Sequence, residues 1–577
     1  MKKRILATVI LLLGLCNHRL MPSAQAAPAA EGVNANQDMI RWWPRIKPAV
    51  MPDNLTQLAV LEISPSLKIE GEAEISIQLP DNVRYAGCPT AWINPARPRV
   101  HAIPFPETTA YAADTVQNGN LLTMRFPAGS FGKEPQTWLP LLLEVNGAVG
   151  IHTVPVTIRA NGMEYREDIA LDIRPALSGA PCRKPLIIWD YQGVDEKFLP
   201  IFINGFVKAG FNRFYEGREE LPGTKSAVDF QNEFGTGHGV AFSPEAILEY
   251  YKNHPLPAEL AKCDGLVPDC GWMVDHPAES ELLFRDFFNF MTSGKTFKYV
   301  ILDCERGAFK SNGTRITNDL SPYNLRRFAA AYGIEGALSP EIIAEKYRDQ
   351  WIEYCCKLSC EFAALLEPIA RKLVPSCKYE IYSGYQFQDG ETKRTYAVDW
   401  EMMKKCGMDA AGAGYFGSYK DITATADAIR PVPLIPAEMF LENFMSTGNP
   451  MPRLKVEVFA YRLIQVYLWS GCNGMQIWHG GVLTGPGLVS VDIFKQFVNA
   501  TCDLTDGATR VPVEEIARVS PRDAVSNVYC FQKDGKAAVI VLNPSDTDKT
   551  IRLNFRSNQA KPQTLKLAPY SYKVVTY

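Results

Sequence analysis

The sequence predicts a multidomain protein: a central (β/α)8 TIM barrel flanked by an N-terminal β-sandwich and a small C-terminal all-β domain. Three observations carry this. The chain has 577 residues, more than one ordinary domain holds. Between residues 185 and 503, short apolar runs alternate with helical stretches, which calls for a parallel sheet. On either side of that region the rhythm changes to short period-two runs separated by Gly, Pro and Asn.

The first segment, residues 1–26, reads as a secretory signal peptide. Lys2-Lys3-Arg4 is the positive flank, Ile5 to Leu15 the apolar stretch, and Ala24-Gln25-Ala26 an A-x-A cleavage site. The apolar run is short for a bilayer span, and no later segment has the pattern of a membrane helix. The mature protein is therefore expected to be exported, secreted or periplasmic, with no integral membrane span. Leu13-Gly14-Leu15-Cys16 faintly resembles a lipoprotein box, but the bulky Leu15 before the cysteine argues against lipid anchoring.

Residues 27–178 read as the sandwich. An Ala-rich and then Trp-rich stretch (Trp42, Trp43) is expected to be a tail leading into it. From Leu58 to Ile173, runs such as Ala73 to Leu79 and His152 to Ile158 alternate as half-buried strands do. Arg174 to Lys184, rich in Pro and Gly, reads as a linker.

The barrel is placed at residues 185–503. Its strands are expected at Leu186 to Asp190, Asn212 to Glu216, Gly239 to Phe242, Tyr299 to Glu305, Lys378 to Ser383, Met408 to Tyr415, Val432 to Phe440 and Gly474 to Gly481. Ser243-Pro244-Glu245 opens a helix by N-cap and N1 proline. A long helical stretch is expected over about Pro340 to Leu373. Eight units over roughly 320 residues fit a barrel with enlarged loops. Residues 505–577 return to β patterning, as in Ala537 to Asn543 and Ser571 to Tyr577.

In such a barrel all strand C-termini open on one face, so residues distant in sequence can meet there. Glu305 closes the fourth strand and Glu438 the seventh. Glycosidic cleavage needs one carboxylic acid to protonate the leaving oxygen and a second carboxylate to attack or to activate water. Glu305 is the candidate acid/base and Glu438 the candidate nucleophile. A salt bridge is the alternative for Glu305, and a first-turn helix position the alternative for Glu438. Asp303 lies two residues before Glu305, on the same side of a regular strand, where like charge would raise the pKa of the acid. Sugar rings stack on aromatic faces while a few polar groups orient them. Trp478 ends the eighth expected strand, Tyr385 follows the fifth, Tyr415 ends the sixth and Trp272 sits on the long loop, His254 to His276, before the fourth; Asp190, Tyr191, Glu216 and His479 are candidate hydroxyl partners.

Other chemistries lack support. Net charge is −3 with no long basic run, which argues against a nucleic-acid partner. Fourteen cysteines, thirteen after removal of Cys16, show no C-x-x-C pair, and there are only seven His. Buried thiols and a disulfide or two are expected rather than a metal site, and no cofactor is expected. An odd number leaves at least one cysteine unpaired within a monomer. The expected partner is a carbohydrate substrate; oligomeric state, sugar and linkage are open.

With the barrel and both glutamates placed, the chain resembles the clan A glycoside hydrolases. That resemblance implies a retaining mechanism with Glu305 as acid/base, Glu438 as nucleophile and Trp478 as the eighth-strand tryptophan. Where the clan has Asn before the acid/base, this chain has Cys304. Asp303-Cys304-Glu305 also resembles the D-x-E ending of chitinase-type and related hexosaminidase barrels, although Lys298 and Ile301 stand where their fuller motif has acids. This second resemblance implies substrate-assisted hydrolysis of an N-acetylhexosaminide, with the substrate's own acetamido group as nucleophile and Asp303 steadying it. A non-catalytic glycan-binding barrel is the alternative from another class.

Overall fold

The computed structural model describes residues 39–42, 48–88, 110–131, 137–147, 149–189, 199–217, 237–260, 269–292, 297–305, 320–383, 390–414, 419–439, 456–478, 485–556 and 560–576. At its centre eight parallel strands close into a barrel. They are Leu186–Trp189, Arg213–Gly217, Gly237–Phe242, Tyr299–Asp303, Lys378–Ser383, Ala410–Gly414, Leu434–Met439 and Met475–Trp478. The first pairs with the eighth, Leu186 to Trp189 against Met475 to Trp478, and this closes the ring. Each strand coincides within a few residues with an expected one.

Alternation along the strands builds two separate apolar layers. Ile187, Trp189, Tyr215, Ala241, Ile301, Tyr382, Ala410, Ile435 and Ala437 form one cluster, the filled interior of the barrel. The residues between them, such as Ile188, Phe214, Val300, Leu302, Ala411, Leu434 and Ile477, belong to the larger core under the surrounding helices. The interior is crowded enough to need glycine. A Cβ on Gly412 would lie 2.5 Å from the Gln476 amide nitrogen, and one on Gly414 would lie 2.6 Å from the Tyr382 hydroxyl. Trp189 Nε1 donates to Gln476 Oε1 at 2.6 Å, and Gln476 Nε2 donates to the Ile435 carbonyl at 3.0 Å. This buried amide is thus satisfied on both sides, as burial requires.

Toward the strands' N-terminal ends, Glu380 is buried inside the barrel. It accepts from Arg213 Nη1 at 2.8 Å and from the Tyr215 hydroxyl at 2.6 Å. Burial pushes its carboxyl up, and Arg213 and the Tyr215 hydroxyl oppose that. Arg213 also lies over the Tyr299 ring, 4.2 Å from its centroid.

Before the barrel stand two sheets. One has the strand order Ile40–Trp42, Leu55–Ile63, Thr137–Val145, Val83–Gly87; the other is six-stranded and mixed. Their inner faces share a core that includes Leu61, Leu139, Ile75 and Val156. Ile40–Trp42 is not a tail: it pairs with Leu61 to Ile63, and Trp42 is fully buried. The Pro-rich segment that follows these sheets is docked on the barrel. Ser178 donates its N–H and its hydroxyl to Asp492 Oδ1, and Asp492 pairs with the buried Lys495 at 2.6 Å. After the barrel, two small sheets share the core of Val528, Val539, Val541, Ile551 and Leu553. Tyr529, Phe531, Ile540 and Leu542 face the barrel's own core instead.

The expected helical stretch over 340–373 is made of two helices, Pro340–Lys346 and Arg348–Leu373. They break at Tyr347, whose φ of −129° and ψ of 25° leave the helical region.

Candidate active site

The fourth strand ends in the two acids of Asp303-Cys304-Glu305. Tyr299 and Ile301 face the barrel interior, so alternation gives Asp303 the same side, one step nearer the C-terminal mouth. Asp303 is half-buried and Glu305, just past the strand, is exposed. Cys304 lies between them on the opposite side, buried in the outer core, with its N–H bonded to the Tyr382 carbonyl at 2.7 Å. Burial holds its thiol well above the ordinary range. In strand register Asp303 stands beside Tyr382, whose ring is inside the barrel 5.0 Å from that of Trp189. One acid near the lumen and a second at the solvent edge, on a single strand end, is an arrangement that can hold a polar substrate group and transfer a proton.

The seventh strand delivers Glu438 differently. Ile435 and Ala437 face the interior, so Glu438 takes the helix side. There Arg462, on the helix Val456–Trp469, donates Nε to Glu438 Oε1 at 3.1 Å, with Nη2 at 3.0 Å from the same oxygen. The Arg462 guanidinium also lies 5.9 Å from the Trp469 ring centroid. Glu438 is 7% exposed. Burial raises its carboxyl above the ordinary range, with Arg462 opposing. A carboxylate so held is buttressed between strand and helix, turned away from the lumen that Asp303 faces.

Trp272 belongs to a short helix, Cys270–Asp275, not to a loop. Its ring stacks on His276 with centroids 4.5 Å apart, and its backbone N–H donates to the N-cap carboxylate of Asp269 at 2.7 Å. This helix packs against Pro322–Tyr332 and Arg348–Leu373 in the outer layer. Glu216 and Trp478 occupy their expected strands, Trp478 in register with Trp189 and Met439. Their side chains fall outside the described residues, as do Asp190, Tyr191, Tyr385, Tyr415 and His479 altogether.

Sequence reasoning passed over the interior aromatics Trp189 and Tyr382 and the buried amide of Gln476. Their signal was positional: Trp189 sits in phase with the interior Ile187, and Tyr382 with the buried Glu380 two residues before it.

No protein-family model matches the chain, and no curated protein matches it. Structural neighbours are glycoside hydrolases. A proposed alpha-galactosidase/melibiase from Bacteroides fragilis is 10% identical with a TM-score of 0.37, covering 92% of this chain and 97% of that one. A beta-galactosidase from the psychrophilic Marinomonas ef1 is 10% identical with a TM-score of 0.37, covering 56% and 60%. A family 123 glycoside hydrolase from Clostridium perfringens is 10% identical with a TM-score of 0.33, covering 79% and 84%.

Proposed function

We propose that this chain is an exported glycoside hydrolase whose chemistry is centred on Asp303 and Glu305. The observation that carries this is the opposite facing of the two candidate carboxylates. Asp303 follows the interior-facing Tyr299 and Ile301, whereas Glu438 takes the helix side and is bound by Arg462. This arrangement favours the substrate-assisted reading over one in which Glu438 attacks the sugar.

In that reading Glu305, at the solvent edge of the mouth, donates a proton to the leaving glycosidic oxygen. The acetamido oxygen of the substrate attacks the anomeric carbon, and Asp303 orients and charge-stabilises the resulting cyclic intermediate. Glu305, now a carboxylate, takes a proton from the water that opens it. The substrate class is an N-acetylhexosaminide. The sheets on either side of the barrel are read as a β-sandwich domain (27–178) and a small all-β domain (505–577), and residues 1–26 as a cleaved export signal.

The test is hydrolysis of aryl glycosides with and without a 2-acetamido group, by the native protein and by Glu305→Gln. Turnover confined to the acetamido substrates, and lost in a folded Glu305→Gln protein, is the expected result. Turnover of plain glycosides only would return the nucleophile role to a protein carboxylate, and binding without turnover across the panel would assign a glycan-binding role.

A further inference from the structure

We infer that Cys360 and Cys406 form a dithiol–disulfide site that ties the longest barrel helix to the turn leading into the sixth strand. Cys360 lies within Arg348–Leu373, and Cys406 lies in the turn after the short helix Trp400–Met403. Their sulfurs are 3.1 Å apart. The Cys406 sulfur is also 3.2 Å from the Cys360 carbonyl oxygen, and the Cys360 sulfur 3.4 Å from that of Met402. Each sulfur therefore already lies against the other segment, and reaching a disulfide length of about 2.05 Å takes roughly 1 Å of closure between the sulfurs.

The two thiols are also chemically unequal. The hydrogen bond between the two thiols draws Cys360 below its ordinary range, and burial works against this. The same hydrogen bond raises Cys406, as does its burial. Cys360 is half-buried whereas Cys406 is 3% exposed. Cys360 is thus the sulfur that meets an oxidant first and ionises first, and Cys406 is the resolving partner.

The step balances with a low-molecular-weight disulfide as oxidant. The Cys360 thiolate attacks one sulfur of oxidised glutathione, breaking its S–S bond and releasing one glutathione thiolate. Cys406 then loses its proton and attacks the Cys360 sulfur, displacing the second glutathione. Two protons and two electrons leave the protein, and one oxidised glutathione becomes two reduced ones. An exported protein would meet such disulfides, but the site stands on the sulfur contact and does not need the glycosidase reading.

The test uses the full mature chain, equilibrated in glutathione buffers of defined ratio, quenched with an alkylating reagent and mapped by mass spectrometry. The expected result under oxidising buffer is a linked pair of peptides containing residues 360 and 406, about 2 Da lighter than the two thiol peptides together. Cys360→Ser abolishes the link and leaves Cys406 open to alkylation after unfolding. Cys406→Ser instead traps a glutathione adduct on Cys360. The oxidised native protein should melt roughly 5 °C above the reduced one, and a Cys360→Ser/Cys406→Ser protein should lose that difference. Full alkylation of both residues, or a persistent glutathione adduct on Cys360 in the native chain, would overturn the inference. Neither outcome bears on hydrolysis, and loss of turnover in Glu305→Gln does not bear on the bridge.

Discussion

Replacing Glu438 with Gln separates a buttress from a nucleophile. The native carboxylate accepts two donors from Arg462 through one oxygen, at 3.1 and 3.0 Å. Gln keeps a carbonyl acceptor there and loses the charge. A charge-assisted hydrogen bond is worth about 1.5–3 kcal/mol, and the substitution also removes the burial cost of an ionised group. The net loss should be about 1–2 kcal/mol. With Asp303 and Glu305 intact, kcat/KM on an aryl glycoside should stay within about tenfold, or ~1.4 kcal/mol of barrel-mouth rearrangement. Removal of a true nucleophile would cost about four decades or more, roughly 5.4 kcal/mol at 1.36 kcal/mol per decade. Arg462→Met is the companion. It leaves Glu438 buried without its cation and should destabilise by about 3 kcal/mol. Its pH dependence has a fixed sign. Burial already raises the folded carboxyl, and loss of Arg462 raises it further. The folded state then holds a proton that the unfolded state has released, so stability falls as pH climbs above about 4.3. Urea unfolding and steady-state kinetics on the same preparations decide the matter. A Glu438→Gln protein with native stability and no hydrolysis would refute the assignment.

Three further outcomes follow from the fold. Arg213→Met strands Glu380 inside the barrel and should cost about 3–5 kcal/mol in urea unfolding, with most of it recovered in Arg213→Met/Glu380→Leu; an additive double variant would contradict the pairing. Gly414→Ala puts a Cβ 2.6 Å from the Tyr382 hydroxyl and should destabilise by about 1–3 kcal/mol, with relief in the Tyr382→Phe background; an unrelieved loss would place the crowding elsewhere. Burial would raise the Asp409 carboxyl, but the Tyr379 N–H, Lys378 and Arg371 together hold it below its ordinary range. A lowered carboxyl stabilises above its unfolded value and loses that effect as pH falls through the folded one. Asp409→Asn should therefore cost about 1–2 kcal/mol at pH 7, and its deficit should shrink below about pH 3.9; a deficit independent of pH would count against these bonds.

The barrel was legible because its strands are short apolar runs set between helical stretches, and hydrophobic period alone separates those states. Asp303 was legible as a strand-end residue from the apolar run before it, but the strand stops there and Glu305 lies beyond it, so the spacing of two does not carry strand alternation to Glu305. Glu438 shows where that legibility ended. Its place at a strand end was readable, but its facing depends on phase against Ile435 and Ala437, and its partner Arg462 on how a later helix rotates onto the sheet. Trp272 was read as a loop residue because Pro and Gly crowd the segment before it; the Asp269 cap starts a helix there. Ile40–Trp42 looked like a tail because three residues carry no period, and only pairing with Leu61 to Ile63 makes them a strand. Cys360 and Cys406 meet through the packing of a helix against a turn, which no spacing rule announces.

The most direct test of the central claim is kcat/KM for an aryl N-acetylhexosaminide series of rising leaving-group pKa, measured for the native protein and folded Glu305→Gln. The expected result is a loss of about 10² to 10⁴ that deepens as the leaving group worsens, the mark of a missing general acid. Equal turnover by the two proteins across that series would contradict it.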